Sequence, residues 1–438
     1  MSRPWFPDVE PIVYRGPQSE TPLAFRWYDP DRVVCGRRME EQIRFAVAFW
    51  HSLAWEGSDV FGAASFPRSW NSAADPLAVA RDRIDAGFEL CETLGIPFFC
   101  FHDRDVTPDV GSLSETNALL DRALEHLERG MERSGRRLLW GTANLFGHPR
   151  YAAGAATNPD PEVFAFAAAQ VKHCLEATHR LGGANYVLWG GREGYETLLH
   201  TDLRRELDQL GRFLVLVVEH KHRIGFPGTL LVEPKPFEPT KHQYDFDAAA
   251  VLALLQRYDL VGEVALNIEV NHATLAGHDF THEIAYAVAN GIFGSIDANR
   301  GDPRLGWDTD QFPDDPLEWA LAWREILGAG GMGTGGCNFD AKLRRQSVDP
   351  VDLLHAHVGG MDAIARGLLA AEALMADGTL DRAVAERYAG WEGELGRSIR
   401  AGGLGLPDLE RIVLERRLSP QPRSGGQERL ENLVRRFV

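Results

Sequence analysis

Short apolar runs, each closing on a polar or ionisable end, recur eight times along the chain. They are residues 43–50, 97–102, 138–144, 186–189, 229–233, 264–269, 292–297 and 336–340. Longer stretches with helical apolar spacing separate them, such as 161–180 and 246–258. Eight strand–helix units in one chain predict an α/β fold, a (β/α)8 TIM barrel. Such a barrel has a parallel sheet, and its active site forms at the C-terminal ends of the strands.

Alternation along each run sorts its side chains between the two faces. In 229–233, Leu230 and Val232 are expected to face the helices, with Leu231 and Glu233 inward. In 292–297, Asp297 shares a face with Phe293 and Ser295; in 97–102, His102 shares one with Phe98 and Cys100. The last inward position of each is ionisable, so closure of the barrel gathers these groups at one mouth.

The barrel is expected to span residues 41–378. An N-terminal extension, 1–40, is rich in Pro, Arg, Asp and aromatics and lacks helical period. A helix capped by Asp349, with Pro350 as its first residue, should close the barrel. Residues 379–438 hold helical pieces without strand signal and are read as an arm for subunit contacts.

The acids at the run ends carry the functional signal. Glu233, Glu269, Asp297, Asp308, Asp310 and Asp340, with His272, form the candidate ligand set. Any one of these acids alone reads as a solvated loop residue. Six carboxylates in one barrel mouth would force several to stay protonated, whereas two divalent cations would neutralise most of the charge. Glu269 and His272, three apart, meet either on one helix face or across a strand end and its following loop. The β-rich run before them favours the strand end with a metal-binding loop. Asp308 and Asp310, two apart in a loop after Gly306-Trp307, suit chelation of one ion.

Other residues fit a polar substrate. Glu233-Pro234-Lys235-Pro236 fixes an ammonium beside a ligand, where it can donate to a substrate oxygen or form a structural ion pair. His102 precedes Asp103 and Asp105, and a carboxylate-oriented imidazole suits acid–base work. Trp50, Trp140 and Trp189 close runs where indoles can wall a dry pocket and stack on sugar faces.

The formal net charge of −17 argues against nucleic-acid binding and against an anionic membrane surface. Five scattered cysteines without a CxxC pair fit a reduced, cytoplasmic protein. The first residues show no apolar leader core, and no apolar run is long enough to span a bilayer.

Six stretches carry a resemblance. They are Phe99-Cys100-Phe101-His102-Asp103, Leu139-Trp140-Gly141-Thr142-Ala143-Asn144, Val187-Leu188-Trp189-Gly190-Gly191-Arg192-Glu193-Gly194, Val232-Glu233-Pro234-Lys235-Pro236, Leu266-Asn267-Ile268-Glu269 with Asn271-His272-Ala273-Thr274, and Asn338-Phe339-Asp340-Ala341-Lys342. With them the chain resembles the xylose isomerases of the longer form, from Tyr14-Arg15-Gly16-Pro17 to Glu431-Asn432-Leu433. The resemblance implies a homotetramer with two divalent cations per subunit, magnesium first and manganese or cobalt as alternatives. It implies interconversion of D-xylose and D-xylulose, with D-glucose and D-fructose as a second pair, by ring opening and a metal-assisted 1,2-hydride shift. Carried over residue by residue, Glu233, Glu269, Asp297 and Asp340 would hold one cation. Glu269, His272, Asp308 and Asp310 would hold the other, so that Glu269 bridges. His102, held by Asp105, would assist ring opening, and Lys235 would hold the substrate O1. Trp50, Trp140, Thr142, Val187 and Trp189 would contact the sugar, and Phe61 would enter a neighbouring subunit's pocket.

Two other readings are compatible with a metal-bearing barrel: a hydrolase or epimerase, and a sugar-binding protein without catalysis. Lys235 with the tryptophan walls favours the isomerase over the first. The intact set His272, Asp308 and Asp310 favours it over the second.

Overall fold

A computed structural model describes residues 4–7 and 9–438. Residues 1–3 and 8, part of the expected extension and of the stretch searched for a leader, lie outside the described residues. Eight parallel strands close a barrel. They are β1 (Phe45–Ala48), β2 (Phe98–His102), β3 (Arg137–Thr142), β4 (Asn185–Trp189), β5 (Thr229–Glu233), β6 (Val264–Glu269), β7 (Phe293–Asp297) and β8 (Cys337–Phe339). Each strand pairs with its sequence neighbours, and β8 pairs with β1 to complete the ring.

A helix follows each strand: α1 (Pro76–Leu94), α2 (Leu113–Ser134), α3 (Pro161–Arg180), α4 (Leu203–Ile224), α5 (Ala248–Arg257), α6 (Phe280–Ala289), α7 (Pro316–Gly328) and α8 (Val351–Asp377). Local chemistry sets their starts. Asp75, Asp160 and Asp315 each accept amide hydrogens of the first turn, with proline next in sequence. Ser112 and Glu115 cap α2 reciprocally. The expected cap at Asp349 is corrected. Pro350 occupies the cap position of α8, and the Asp349 amide instead donates to Asp352 Oδ2 at 3.1 Å. Tight turn bonds, from the Asp352 amide to the Asp349 carbonyl (3.0 Å) and from the Leu353 amide to Pro350 (3.1 Å), use backbone oxygens where a side-chain cap was expected.

Two apolar clusters follow the strand alternation. Leu230 and Val232 join the large cluster between sheet and helices, while Leu231 packs inside the barrel with Ala46, Phe98, Cys100, Leu139, Trp140 and Val187. Arg44 and Arg137 each place a guanidinium 4.5 Å from the Phe98 ring centre. That stack sits at the start of β2, opposite the mouth.

Strand β7 departs from the expected alternation. Phe293 packs in the outer cluster, although Ser295 and Asp297 take the places expected of them. A register shift against β6 skips Gly294, as in a β-bulge. A Cβ on Gly294 would lie 2.4 Å from Leu231 Cδ2 and 2.9 Å from the Leu266 carbonyl, so only glycine fits the bulge.

Past α8 the chain runs through Thr379–Tyr388, Glu394–Arg400, Leu406–Arg416 and Gln427–Val434. These helices expose Val384, Tyr388, Leu406, Val413 and Leu414, and the turn Ala389–Glu392 exposes Trp391. Among the described residues no helix is long and apolar enough to cross a membrane.

Candidate active site and metal centre

The strand ends bring the acids together as the barrel requires. Glu233 closes β5, Glu269 closes β6 and Asp297 closes β7, all buried, and Asp340 follows β8 directly. Ligand atoms of Glu233, Asp297 and Asp340 lie within 4.8 Å of one another, as do those of Glu233, Glu269 and His272, and those of Glu269, Asp308 and Asp310. All seven candidate ligands therefore meet at one mouth.

The loop expected after Glu269 is a short helix, Val270–Leu275, with Glu269 at its cap position. His272 stands in its first turn, with Nε2 2.9 Å from Glu269 Oε2. The strand end and the helical i, i+3 spacing thus operate together. Asn271 donates to Asp308 Oδ1, which draws the Asp308 loop onto this helix.

Three buried asparagines fix the carboxylates. Asn267 Nδ2 donates to Glu233 Oε2 (3.0 Å), Asn299 Nδ2 to Glu269 Oε1 (2.7 Å), and Asn338 Nδ2 to Asp297 Oδ1 (2.8 Å). Each amide belongs to the strand after the one bearing its carboxylate, or to the residues just past that strand. Sequence reasoning missed these three. Their signal is the period of two: Asn267 precedes Glu269, Asn299 follows Asp297 and Asn338 precedes Asp340, each by two positions.

Concentrated charge shows in the titration of the group. Burial, then Asp297 and Glu269, hold the Glu233 carboxyl well above its usual value. Burial, then Asp308 and Asp340, do the same at Glu269, and burial with Asp340 pushes Asp297 up to about 7. Burial acts the same way at Asp308 and Asp340. It is outweighed at Asp308 by Lys235 and His272, and at Asp340 by His51, so both stay below their usual values. Among the described residues, buried His272 Nδ1 and Asp297 Oδ2 have no hydrogen-bond partner. Excess carboxylate charge, orphaned donor atoms and mixed O and N ligands all fit divalent cations.

His51 is a further residue that sequence reasoning missed. Its Nε2 lies 2.9 Å from Asp340 Oδ1 and 3.1 Å from Asp310 Oδ2. Burial opposes its protonation, but Asp340 and Asp310 raise it to about 9. Lys342 is another such residue, donating to Asp310 Oδ2 at 2.8 Å. The only sequence sign of His51 is its place directly after Trp50 at a run end.

A cavity of about 160 Å³ opens beside the acids, lined by Trp50, His51, His102, Trp140, Thr142, Phe146, Val187 and Trp189. Larger hollows lie elsewhere, including one of about 600 Å³ beside Trp27 and His355, but the converging ligands fix the site at the smaller one. Trp50 sits past β1 on a single wide turn, Trp50–Ala54, and its Nε1 donates to Asp340 Oδ1 at 2.6 Å. Phe146, absent from the sequence reading, packs edge-on against Trp189 at 4.4 Å between ring centres. Thr142 turns its hydroxyl to the Val187 carbonyl at 2.5 Å.

His102 closes β2 with Nδ1 2.9 Å from Asp105 Oδ2, which also accepts the His102 amide at 2.7 Å. Burial lowers the basicity of His102, and Asp105 more than offsets it, so its pKa is raised. Lys235 is buried, and its Nζ donates to Asp308 Oδ2 at 2.6 Å. The geometry thus contains the ion pair that was one of its two expected roles. Phe61 stands apart from the cavity, 79% exposed and tilted against Trp307 at 5.9 Å.

Comparison with known proteins places the chain among curated relatives. It is 58% identical over 438 residues to the xylose isomerase of Brucella anthropi, covering 100% of both chains. It is 57% identical over 435 residues to that of Pseudomonas fluorescens, covering 99% of each. Residues 384–438 match the family profile described as XylA2 C-terminal domain. Among solved structures, D-psicose 3-epimerase from Clostridium cellulolyticum aligns with TM-score 0.51 and 11% identity, covering 75% of this chain and 99% of that one. A putative xylose isomerase from Rhodospirillum rubrum aligns with TM-score 0.51 and 15% identity, covering 74% and 98%. Likeness at that identity concerns the barrel fold alone.

Proposed function

The chain belongs to the xylose isomerase family, and from that premise we propose how its barrel mouth carries out the reaction. The protein is an aldose–ketose isomerase that interconverts xylose and xylulose. The observation that carries the site assignment is the convergence of Glu233, Glu269, His272, Asp297, Asp308, Asp310 and Asp340 at one mouth, in overlapping groups that share Glu233 and Glu269.

In this reading Glu233, Glu269, Asp297 and Asp340 hold one divalent cation. Glu269, His272, Asp308 and Asp310 hold a second, with magnesium the natural ion for so oxygen-rich a set. When bound, the two cations bind and polarise sugar oxygens and neutralise the carboxylates.

The remaining work belongs to side chains. Asp105 holds Nδ1 of His102, leaving Nε2 to move a proton at the sugar ring oxygen or anomeric hydroxyl during opening. Lys235 exchanges its bond to Asp308 for one to the substrate O1 and stabilises negative charge developing there. Trp50, Trp140, Phe146 and Trp189 exclude water, with Thr142 and Val187 completing the wall. A dry pocket suits direct hydride passage between C2 and C1 over an intermediate that exchanges protons with solvent.

The same reading makes the molecule a cytoplasmic homotetramer. Its body is residues 41–378, its N-terminal extension 1–40, and its subunit-contact arm 379–438. Exposed Phe61 and the exposed apolar side chains along the arm support the subunit contacts of this reading. The deciding test is incubation of chelator-stripped protein with D-xylose, with and without magnesium. Ketose formation restored by magnesium is expected, and its absence would overturn the assignment.

A further inference from the structure

We propose that His278, His282 and Glu283, with Asp247 orienting His278 from behind, form a separate binding site for a borderline transition cation such as zinc, outside the barrel mouth. Asp247 caps α5, whereas His282 and Glu283 lie in the first turn of α6 and His278 just before it. Ligand atoms of His278, His282 and Glu283 lie within 4.8 Å of one another. His278 Nε2 is 3.2 Å from Asp247 Oδ2 and 3.9 Å from Glu283 Oε1.

Both carboxylates are oriented by backbone. Asp247 Oδ1 accepts the Ala250 amide at 2.7 Å, leaving Oδ2 toward His278. Glu283 Oε2 accepts the Ala248 amide at 2.8 Å, leaving Oε1 on the same side. His278 is fixed in turn, since its own amide donates to the Ala273 carbonyl at 2.9 Å after Gly277 reverses the chain at φ +78°. Outer bonds that aim ligating oxygens and nitrogens are the usual frame of a metal site. Buried Glu283 beside Asp247 is also an unfavourable pair of negative charges, with its carboxyl raised by burial and then by Asp247. A cation would relieve that repulsion.

The donor set separates this site from the mouth. Two imidazoles and one carboxylate make a nitrogen-rich three-ligand set, with affinity for zinc, nickel or copper over magnesium. The seven candidate ligands at the barrel mouth include one imidazole, His272, among six carboxylates, with His51 a second imidazole beside Asp310 and Asp340. An ion here would tie the start of α5 to the start of α6, bracing the turn that follows the His272 helix.

The full chain is dialysed against zinc in a large excess of magnesium, and retained zinc is counted for wild type, His282→Ala and the double variant His278→Gln/His282→Gln. His282 is exposed and its truncation leaves the core intact. Wild type should retain one zinc per chain more than the double variant, and His282→Ala should bind that ion at least about tenfold more weakly. Equal zinc counts in all three proteins would overturn the site. So would an extra zinc whose affinity is unchanged in His282→Ala.

Discussion

Asn299 Nδ2 donates to Glu269 Oε1 at 2.7 Å, and the same amide reaches the Asp340 carbonyl at 2.8 Å. One neutral side chain therefore fixes the carboxylate shared by the two proposed cation sites, and ties it to the end of β8. Asn299→Ala removes both bonds while changing no charge. The expected outcome is magnesium affinity weaker by about 10–100-fold, with much of the activity regained at saturating metal. Titration of activity and of binding heat against magnesium checks it; an unchanged affinity would show that packing alone holds Glu269.

Glu269→Gln makes the stronger demand. It removes the charge that both sites share but keeps the size of the side chain and its bond from Asn299. If Glu269 bridges, both cations weaken together and kcat/KM falls by roughly 1,000-fold, about 4 kcal/mol. Loss of only one bound metal, counted by equilibrium dialysis, would assign Glu269 to a single site.

How much of this was legible in the sequence follows from which forces act locally. Strand β5 and helix α3 match their sequence runs because alternation and an Asp-Pro start are local signals. Strand β6 was equally clear, but the turn after it was not, because a metal-binding loop and one helical turn give the same spacing of Glu269 and His272. The outward turn of Phe293 was hidden, since the bulge at Gly294 arises from contact with Leu231 and Leu266 on two other strands. His51 and the three asparagines were missed for a related reason. Their partners are distant in sequence, and an amide or imidazole near an acid run carries no sign of which carboxylate it will meet.

Gly294→Ala tests the bulge. Its Cβ would press on Leu231 Cδ2 and the Leu266 carbonyl, and backbone does not yield as a flexible side-chain end does. Destabilisation of about 1–3 kcal/mol is expected, read as a lower thermal midpoint, together with weakened metal binding because β7 carries Asp297. An unchanged midpoint would mean that the register shift relaxes without cost.

Magnesium binding should release protons. In the cation-free protein Glu233 and Glu269 are held well above the usual carboxylate range and Asp297 at about 7, so these groups carry protons that a cation must displace. Magnesium affinity should therefore rise between about pH 6 and about pH 8, with the Asp297 share of proton release fading above about 7. For cation-free stability the sign is opposite. A carboxyl raised by folding binds more protons folded than unfolded, so its contribution is lost as pH rises from the ordinary carboxylate range through about 7. Asp308 and Asp340, held low, contribute in the other sense and lose their share only as pH falls. Calorimetry in buffers of different ionisation heat measures the release, and pH-independent affinity would contradict it.

Asp105→Asn isolates the acid–base role of His102. The carboxylate holds His102 Nδ1 at 2.9 Å and is the main influence raising its basicity against the effect of burial. An amide keeps the size and a hydrogen bond but gives up the charge. His102 should then lose its proton at lower pH, moving the acid limb of kcat/KM to lower pH, and turnover should fall by up to about 100-fold. Metal affinity should stay unchanged, because neither His102 nor Asp105 belongs to the ligand groups at the mouth. The profile separates chemistry from scaffolding. A merely structural Asp105 would lower activity equally at every pH, whereas a partner that sets the protonation of His102 shifts the limb itself.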